Sequence, residues 1–135
     1  MGLGFSIGLL VGGIVVLVIM IVAATRKVPA HSVQQTTRRI TLASPLAPAA
    51  VIEKLKSARW RRVKLHDVDA GRGVVVLATG TTIFSWGFFY PVFVSRSGSG
   101  STLEIGCKSR AMQWGPVVTN NHKSAVAEIE QALKA

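Results

Sequence analysis

The feature that most constrains this chain is the uncharged run at its start. Residues Leu3 to Ala24 include no charged side chain, and from Ile14 to Val22 every residue is bulky and apolar. As a helix rising about 1.5 Å per residue, the run spans roughly 33 Å, enough to cross a bilayer core. With 135 residues in all, the remainder holds one domain of about 100 residues, large enough to bury a core without disulfides. The sequence therefore predicts a transmembrane helix over residues 1–25, a short juxtamembrane linker over 26–33 marked by Pro29, and a basic domain over 34–135.

Within the run, Gly4, Gly8 and Gly12 recur at four-residue spacing. On a helix that spacing stacks them on one ridge, where a second helix approaches closely and gains van der Waals contact. These three glycines are the expected helix-packing residues. Before the run there is only the α-amino group, and after it come Arg26, Lys27, Arg38 and Arg39. The positive-inside rule places the N-terminus outside and the C-terminal domain in the cytoplasm. A cleaved signal peptide would have a charged n-region and a shorter apolar core. The pattern Met1-Gly2 with Ser6 matches a myristoylation signal, which a spanning helix makes redundant.

Charge is lopsided. The chain carries 16 Lys and Arg against 6 Asp and Glu, a formal net charge of +10, and every one of those charges lies after the apolar run. Six bases fall between Lys54 and Lys64 with no acid among them: Lys54, Lys56, Arg59, Arg61, Arg62 and Lys64, with Trp60 inside the cluster. Near an anionic leaflet each base contributes up to about 1 kcal/mol, and tryptophan favours the interfacial zone. The cluster is expected to meet anionic lipid or an acidic partner, beside the plainer reading of a solvated surface. Nucleic acid is disfavoured, since no recognition motif accompanies the charge and charge alone gives non-specific affinity.

The domain alternates between strand and helix patterns. Gln34 to Leu42 reads as a first strand. A helix follows, opened by Ser44-Pro45 or by Pro48 at its first turn, with Val51, Ile52, Leu55 and Ala58 at helical spacing. Trp60 to Val68, Gly73 to Thr79, Phe88 to Arg96 and Leu103 to Cys107 read as strands. Asp69-Ala70-Gly71 and Ser97-Gly98-Ser99-Gly100 make the turns, and Pro91 suggests an edge or a bulge. Asn120 or Asn121 is expected to cap a last helix whose apolar stripe is Ala125, Val126, Ile129 and Leu133. The expected fold is α+β: a transmembrane helix, then β-α-β-β-β-β-α with one antiparallel sheet and both helices on one face.

From Gly100-Ser101-Thr102-Leu103-Glu104-Ile105 through Lys108-Ser109-Arg110 to Asn120, Asn121 and the last helix, the chain resembles a family of bacterial membrane-anchored domains of unknown function. That family closes with a strand, a Ser-Arg pair, a glycine-bearing loop and an Asn-started helix. This chain has Met112-Gln113-Trp114-Gly115-Pro116 where the family carries an acidic residue and a further glycine. The resemblance implies the α+β fold and no activity.

Candidates for chemistry are few. His31, His66 and His122 fall on separate elements without metal-ligand spacing. His66 and Asp67, adjacent on a strand, are expected to face opposite ways. Cys107, the single cysteine, cannot form an internal bridge and sits on the inward register of its strand as a core thiol. No phosphate loop, dinucleotide fingerprint or nucleophile elbow is present. Trp86, Phe88, Phe89, Tyr90, Phe93 and Trp114 form an aromatic group that lines a small apolar pocket or docking surface if it is not simply core. The expectation is a non-enzymatic, single-pass accessory or scaffolding subunit without metal or cofactor. Its partners would be membrane lipid and either a membrane protein or a second copy of itself. The alternative is a membrane-tethered module binding a lipid or small apolar ligand between sheet and helix.

Overall fold

The central strands of the domain are apolar on both faces, and the architecture follows from covering them twice. A computed structural model describes residues 2–25, 28–80, 87–109 and 116–134, with backbone alone at residues 2–6, 20–25, 116 and 117. The elements are α1 (Gly2–Thr25), β1 (Arg39–Ser44), α2 (Pro48–Ser57), β2 (Lys64–Asp69), β3 (Val74–Ala78), β4 (Phe88–Ser97), β5 (Gly100–Gly106), β6 (Lys108–Ser109) and α3 (Pro116–Lys134). The strands form one antiparallel sheet in the order β1-β5-β4-β3-β2, with the two-residue β6 also paired to β4.

The membrane reading of the apolar run is corrected here. Among the described residues, no helix is long and apolar enough to cross a membrane. The side chains of α1 are described from Ile7 to Ile19. Its large apolar side chains are 39% to 64% exposed. The single-pass topology, with its N-terminus outside and cytoplasmic domain, is not retained. The accessory-subunit reading built on it goes too.

The helix face of the sheet carries the main core. Val75 and Leu77 of β3, Phe88, Tyr90, Val92 and Val94 of β4, and Leu103 and Ile105 of β5 point to it, and Val51, Ile52 and Leu55 of α2 with Ala125, Val126 and Ile129 of α3 close over them. α2 starts at Pro48, with Ala47 as an N-cap that supplies no side-chain bond. Proline suits the first helical turn because the N–H it lacks would be unbonded there. α3 starts at Pro116 for the same reason, ahead of the expected Asn cap, so Asn120 and Asn121 lie inside it.

The opposite face is covered by the chain itself. Val28, Ala30 and Val33 lie over Val74, Val76, Ala78 and Phe89, which is why all five residues of β3 are buried. This strap is tied down by polar bonds. Asp67 Oδ2 accepts from Ala30 N at 2.8 Å, His66 Nε2 accepts from Val28 N at 3.2 Å, and the Arg72 guanidinium donates to Ala30 O at 2.9 Å. His66 and Asp67 share this face, contrary to the alternation expected of a strand. The cause is a bulge: Leu65 pairs with Leu77 but Asp67 pairs with Val76, so an extra residue shifts the alternation.

Two local details set the sheet. Ser97 and Gly100 close the β4–β5 hairpin, and Gly98 takes a positive φ of 61° at the first turn position, where glycine carries no steric cost. Pro91 does not mark an edge: β4 lies between β3 and β5. It sits instead where the neighbouring ladder is interrupted. β5 pairs Ile105 with Val92, β6 resumes in the same register with Lys108 against Phe89, and between them Cys107 N turns to Thr36 Oγ1 at 3.0 Å. A proline without an N–H is tolerated where no ladder bond is made.

Two outcomes follow. Ile129→Ala, which truncates a fully buried side chain on α3, should cost about 2–5 kcal/mol in chemical denaturation, and a cost below about 1 kcal/mol would mean that α3 is not packed as described. Asp67→Ala should speed amide exchange at Ala30 while leaving β3 and β4 protected; unchanged exchange would show the strap held by something else.

Candidate functional site: a buried polar pair between sheet and helix

Two polar side chains stand inside the apolar core, Tyr90 from β4 and His122 from α3, each with 0% exposure. Tyr90 is on the helix-facing register of β4, between Phe88 and Val92. His122 lies three and four residues before Ala125 and Val126 of the same apolar stripe, a spacing that puts it on the same helix face. The rings of Tyr90 and His122 have centroids 6.3 Å apart and are nearly parallel at 23°, and Phe88 also stacks with Tyr90 at 6.1 Å.

Each ring is left with an unanswered polar atom. His122 Nε2 lies 2.7 Å from the carbonyl oxygen of Ile105. A carbonyl only accepts, so Nε2 carries the proton and Nδ1 of the neutral ring is a bare acceptor. Among the described residues, neither His122 Nδ1 nor Tyr90 Oη meets a hydrogen-bond partner. Such atoms are scarce in folded proteins, because each costs the desolvation of a polar group with no return. The Thr79 hydroxyl, which accepts from Phe88 N at 2.9 Å, partly offsets the rise in the phenol pKa, but its geometry to Tyr90 Oη falls short of a hydrogen bond.

Electrostatics hold all three nearby ionisable groups neutral. Burial raises the Tyr90 phenol well above its ordinary value, with the Cys107 sulfur adding to the rise. Burial pushes the Cys107 thiol up to about 11, against a small opposing pull from Arg38. For His122, burial lowers the pKa, the bond to Ile105 raises it in part, and Arg38 lowers it further. Arg38 itself is exposed and donates to Thr119 Oγ1 at 2.6 Å. The site is therefore an apolar interior with one hydroxyl donor and one imidazole acceptor.

The residues singled out from the sequence fall elsewhere. Gly4, Gly8 and Gly12 lie on α1, and nothing stands within 4 Å of a Cβ placed at Gly8 or Gly12. The basic cluster borders a cleft of about 550 Å³ lined by Lys54, Arg59, Trp60, Arg61 and Glu128. Here the indole of Trp60 is pinned to Leu55 O at 3.2 Å, Lys54 Nζ donates to Leu133 O at 3.3 Å, and the Glu128 carboxylate accepts from the backbone N of Arg61 and Arg62. Lys56 pairs with Glu53 at 3.4 Å, and Arg62 and Lys64 are exposed. Of the aromatic group, Phe88, Phe89 and Tyr90 are fully buried and Phe93 partly so; Trp86 and Trp114 lie outside the described residues. Among the described residues, no group of three or more His, Cys, Asp or Glu is placed to hold a metal. Two further clefts, of about 380 Å³ beside the strap and about 350 Å³ near the β2–β3 turn, like the basic one, do not reach Tyr90 or His122.

The architecture has relatives among solved structures. No family model matches the chain, and no curated protein does. The crystal structure of Ara h 8.0201 superposes with a TM-score of 0.52 at 11% identity, covering 71% of this chain and 93% of that one. The solution structure of the Aha1 dimer from Colwellia psychrerythraea superposes with a TM-score of 0.50 at 8% identity, covering 69% of this chain and 90% of that one. At these identities the likeness is one of fold alone.

Tyr90→Phe removes a hydroxyl that has no described partner, so the ligand-free chain should keep or slightly gain stability; a loss of about 1 kcal/mol would reveal a structural bond instead. The depressed pKa of His122 gives a signed pH dependence. Above about pH 6.5 neither state is protonated there and the full stability is present. Below it the unfolded chain binds a proton that the folded ring refuses, so stability falls as the pH drops toward the folded value. Denaturation midpoints from pH 7.5 to 5 should show this slope in the wild type and a shallower one in His122→Leu. Equal slopes would contradict the buried neutral imidazole.

Proposed function

We propose that this chain binds a small, largely apolar molecule in the interior between the sheet and α3, with Tyr90 and His122 as its polar anchor. The observation that carries the reading is the pair of fully buried, unpartnered atoms, Tyr90 Oη and His122 Nδ1, in a core otherwise built of aliphatic and aromatic side chains. Binding sites for small molecules are mostly apolar with a few placed polar groups, and this is that composition. The superposition on Ara h 8.0201 and the Aha1 dimer supports it at the level of fold only.

Binding rather than catalysis is the better reading. A thiol raised to about 11 is protonated and unreactive at neutral pH, and the imidazole has no described carboxylate partner to drive proton transfer.

The experiment is protein-observed NMR of the full chain titrated with naphthalene, a neutral probe without polar groups. The reading expects saturable shifts at Phe88, Tyr90, His122 and Val126. Because α1 is also apolar and exposed, shifts confined to Ile7–Ile19 would overturn it.

A further inference from the structure

We propose that the interior ligand carries a neutral hydroxyl, which accepts a hydrogen bond from Tyr90 Oη and donates one to His122 Nδ1, on an otherwise apolar body. The inference rests on the interior-site reading above and adds the chemistry of the head group.

The donor and acceptor roles follow from geometry. The 2.7 Å contact with Ile105 O fixes the proton on Nε2 and leaves Nδ1 as a lone pair facing a core in which no described group donates to it. Tyr90 Oη, buried and protonated, is a donor without an acceptor among the described residues. A ligand group satisfying both must accept from the phenol and donate to the imidazole. A hydroxyl does so with one oxygen. A ketone or ether answers Tyr90 but leaves Nδ1 unbonded. A carboxylate also answers Tyr90, yet it sets its charge against the Nδ1 lone pair in an apolar interior. The cation that acts on His122, Arg38, is exposed and committed to Thr119, so it does not offset that burial. An ammonium would bring a second positive charge toward Arg38 and leave the phenol proton without an acceptor. Cys107, the other ionisable group beside Tyr90, is neutral and favours neither charge.

Two other features of the molecule are weaker. The basic cleft beside Trp60 fits anions of any kind, and nothing among the described residues lies within 4 Å of a Cβ placed at Gly8 or Gly12 to indicate what would pack there. The polar pair differs from both in specifying a donor, an acceptor and a charge.

The test compares three probes of one size on the full chain: naphthalene, 2-naphthol and 2-naphthoate. Affinity is read from the resonances of Tyr90 and His122, with ¹⁵N-labelled histidine reporting Nδ1. The expected result is that 2-naphthol binds at least about tenfold more tightly than naphthalene, a preference of the size one well-made hydrogen bond gives. Nδ1 should move toward the shift of a hydrogen-bonded ring nitrogen, and 2-naphthoate should bind more weakly than 2-naphthol. In Tyr90→Phe, which keeps the ring, the ratio of 2-naphthol to naphthalene affinity should shrink severalfold. Equal affinity for naphthalene and 2-naphthol, or tightest binding of 2-naphthoate, overturns the hydroxyl inference and leaves the interior site standing. If none of the three moves Tyr90 or His122, the interior site itself fails.

Discussion

The structure depends on the two-sided burial of β3 and β4. A strand that is apolar on both faces cannot lie at a solvated surface, so the domain must supply two covers of different kinds. α2 and α3 close over Val75, Leu77, Phe88 and Val92, while the strap of Val28, Ala30 and Val33 closes over Val74, Val76 and Phe89. The strap makes one turn of its own, with the N–H groups of Ser32 and Val33 donating to Pro29 O, and takes further partners from the sheet. That is the service of the His66 bulge, which turns two consecutive polar side chains to one face so that both reach the strap.

The helix-side cover places the polar pair. Helical spacing forces His122 onto the same face as Val126 and Ile129, and strand alternation forces Tyr90 onto the same face as Phe88 and Val92. Once the sheet and α3 pack, both rings are inside. Ile105 O answers one nitrogen of His122, and two polar atoms remain. An apolar pair at these positions would pack without that penalty, and the proposed binding site rests on that polarity. The wider surface, with its +10 charge, is not needed for that conclusion.

Much of the sheet was legible in the sequence because its signals are local. The glycine turn at Gly98, the apolar run of β3 and the helical spacing of Val51, Ile52 and Leu55 each act over a few residues. What was not legible depends on contacts across the chain. The bulge at His66 arises from pairing with β3, the tolerance of Pro91 from a gap in its neighbour's ladder, and the strap from a sheet face that no helix covers. The apolar run of α1 reads as a membrane span on length and hydropathy, yet among the described residues no helix is long and apolar enough to cross a membrane. α3 starts at Pro116, ahead of the Asn cap that the sequence suggests, because proline also serves a first helical turn. The site leaves one local signal in the sequence: His122 sits on the apolar stripe of the last helix, where a polar residue is out of place. Tyr90 reads as one more aromatic of its strand, and nothing in one sequence pairs it with a residue on a distant helix.

The most direct measurement is a crystal structure of the full chain grown with 2-naphthol. The account predicts density between the sheet and α3 with one ligand oxygen within hydrogen-bonding reach of both Tyr90 Oη and His122 Nδ1. A structure in which those two atoms bond to each other or to other protein groups, with no ligand between the sheet and α3, would contradict it.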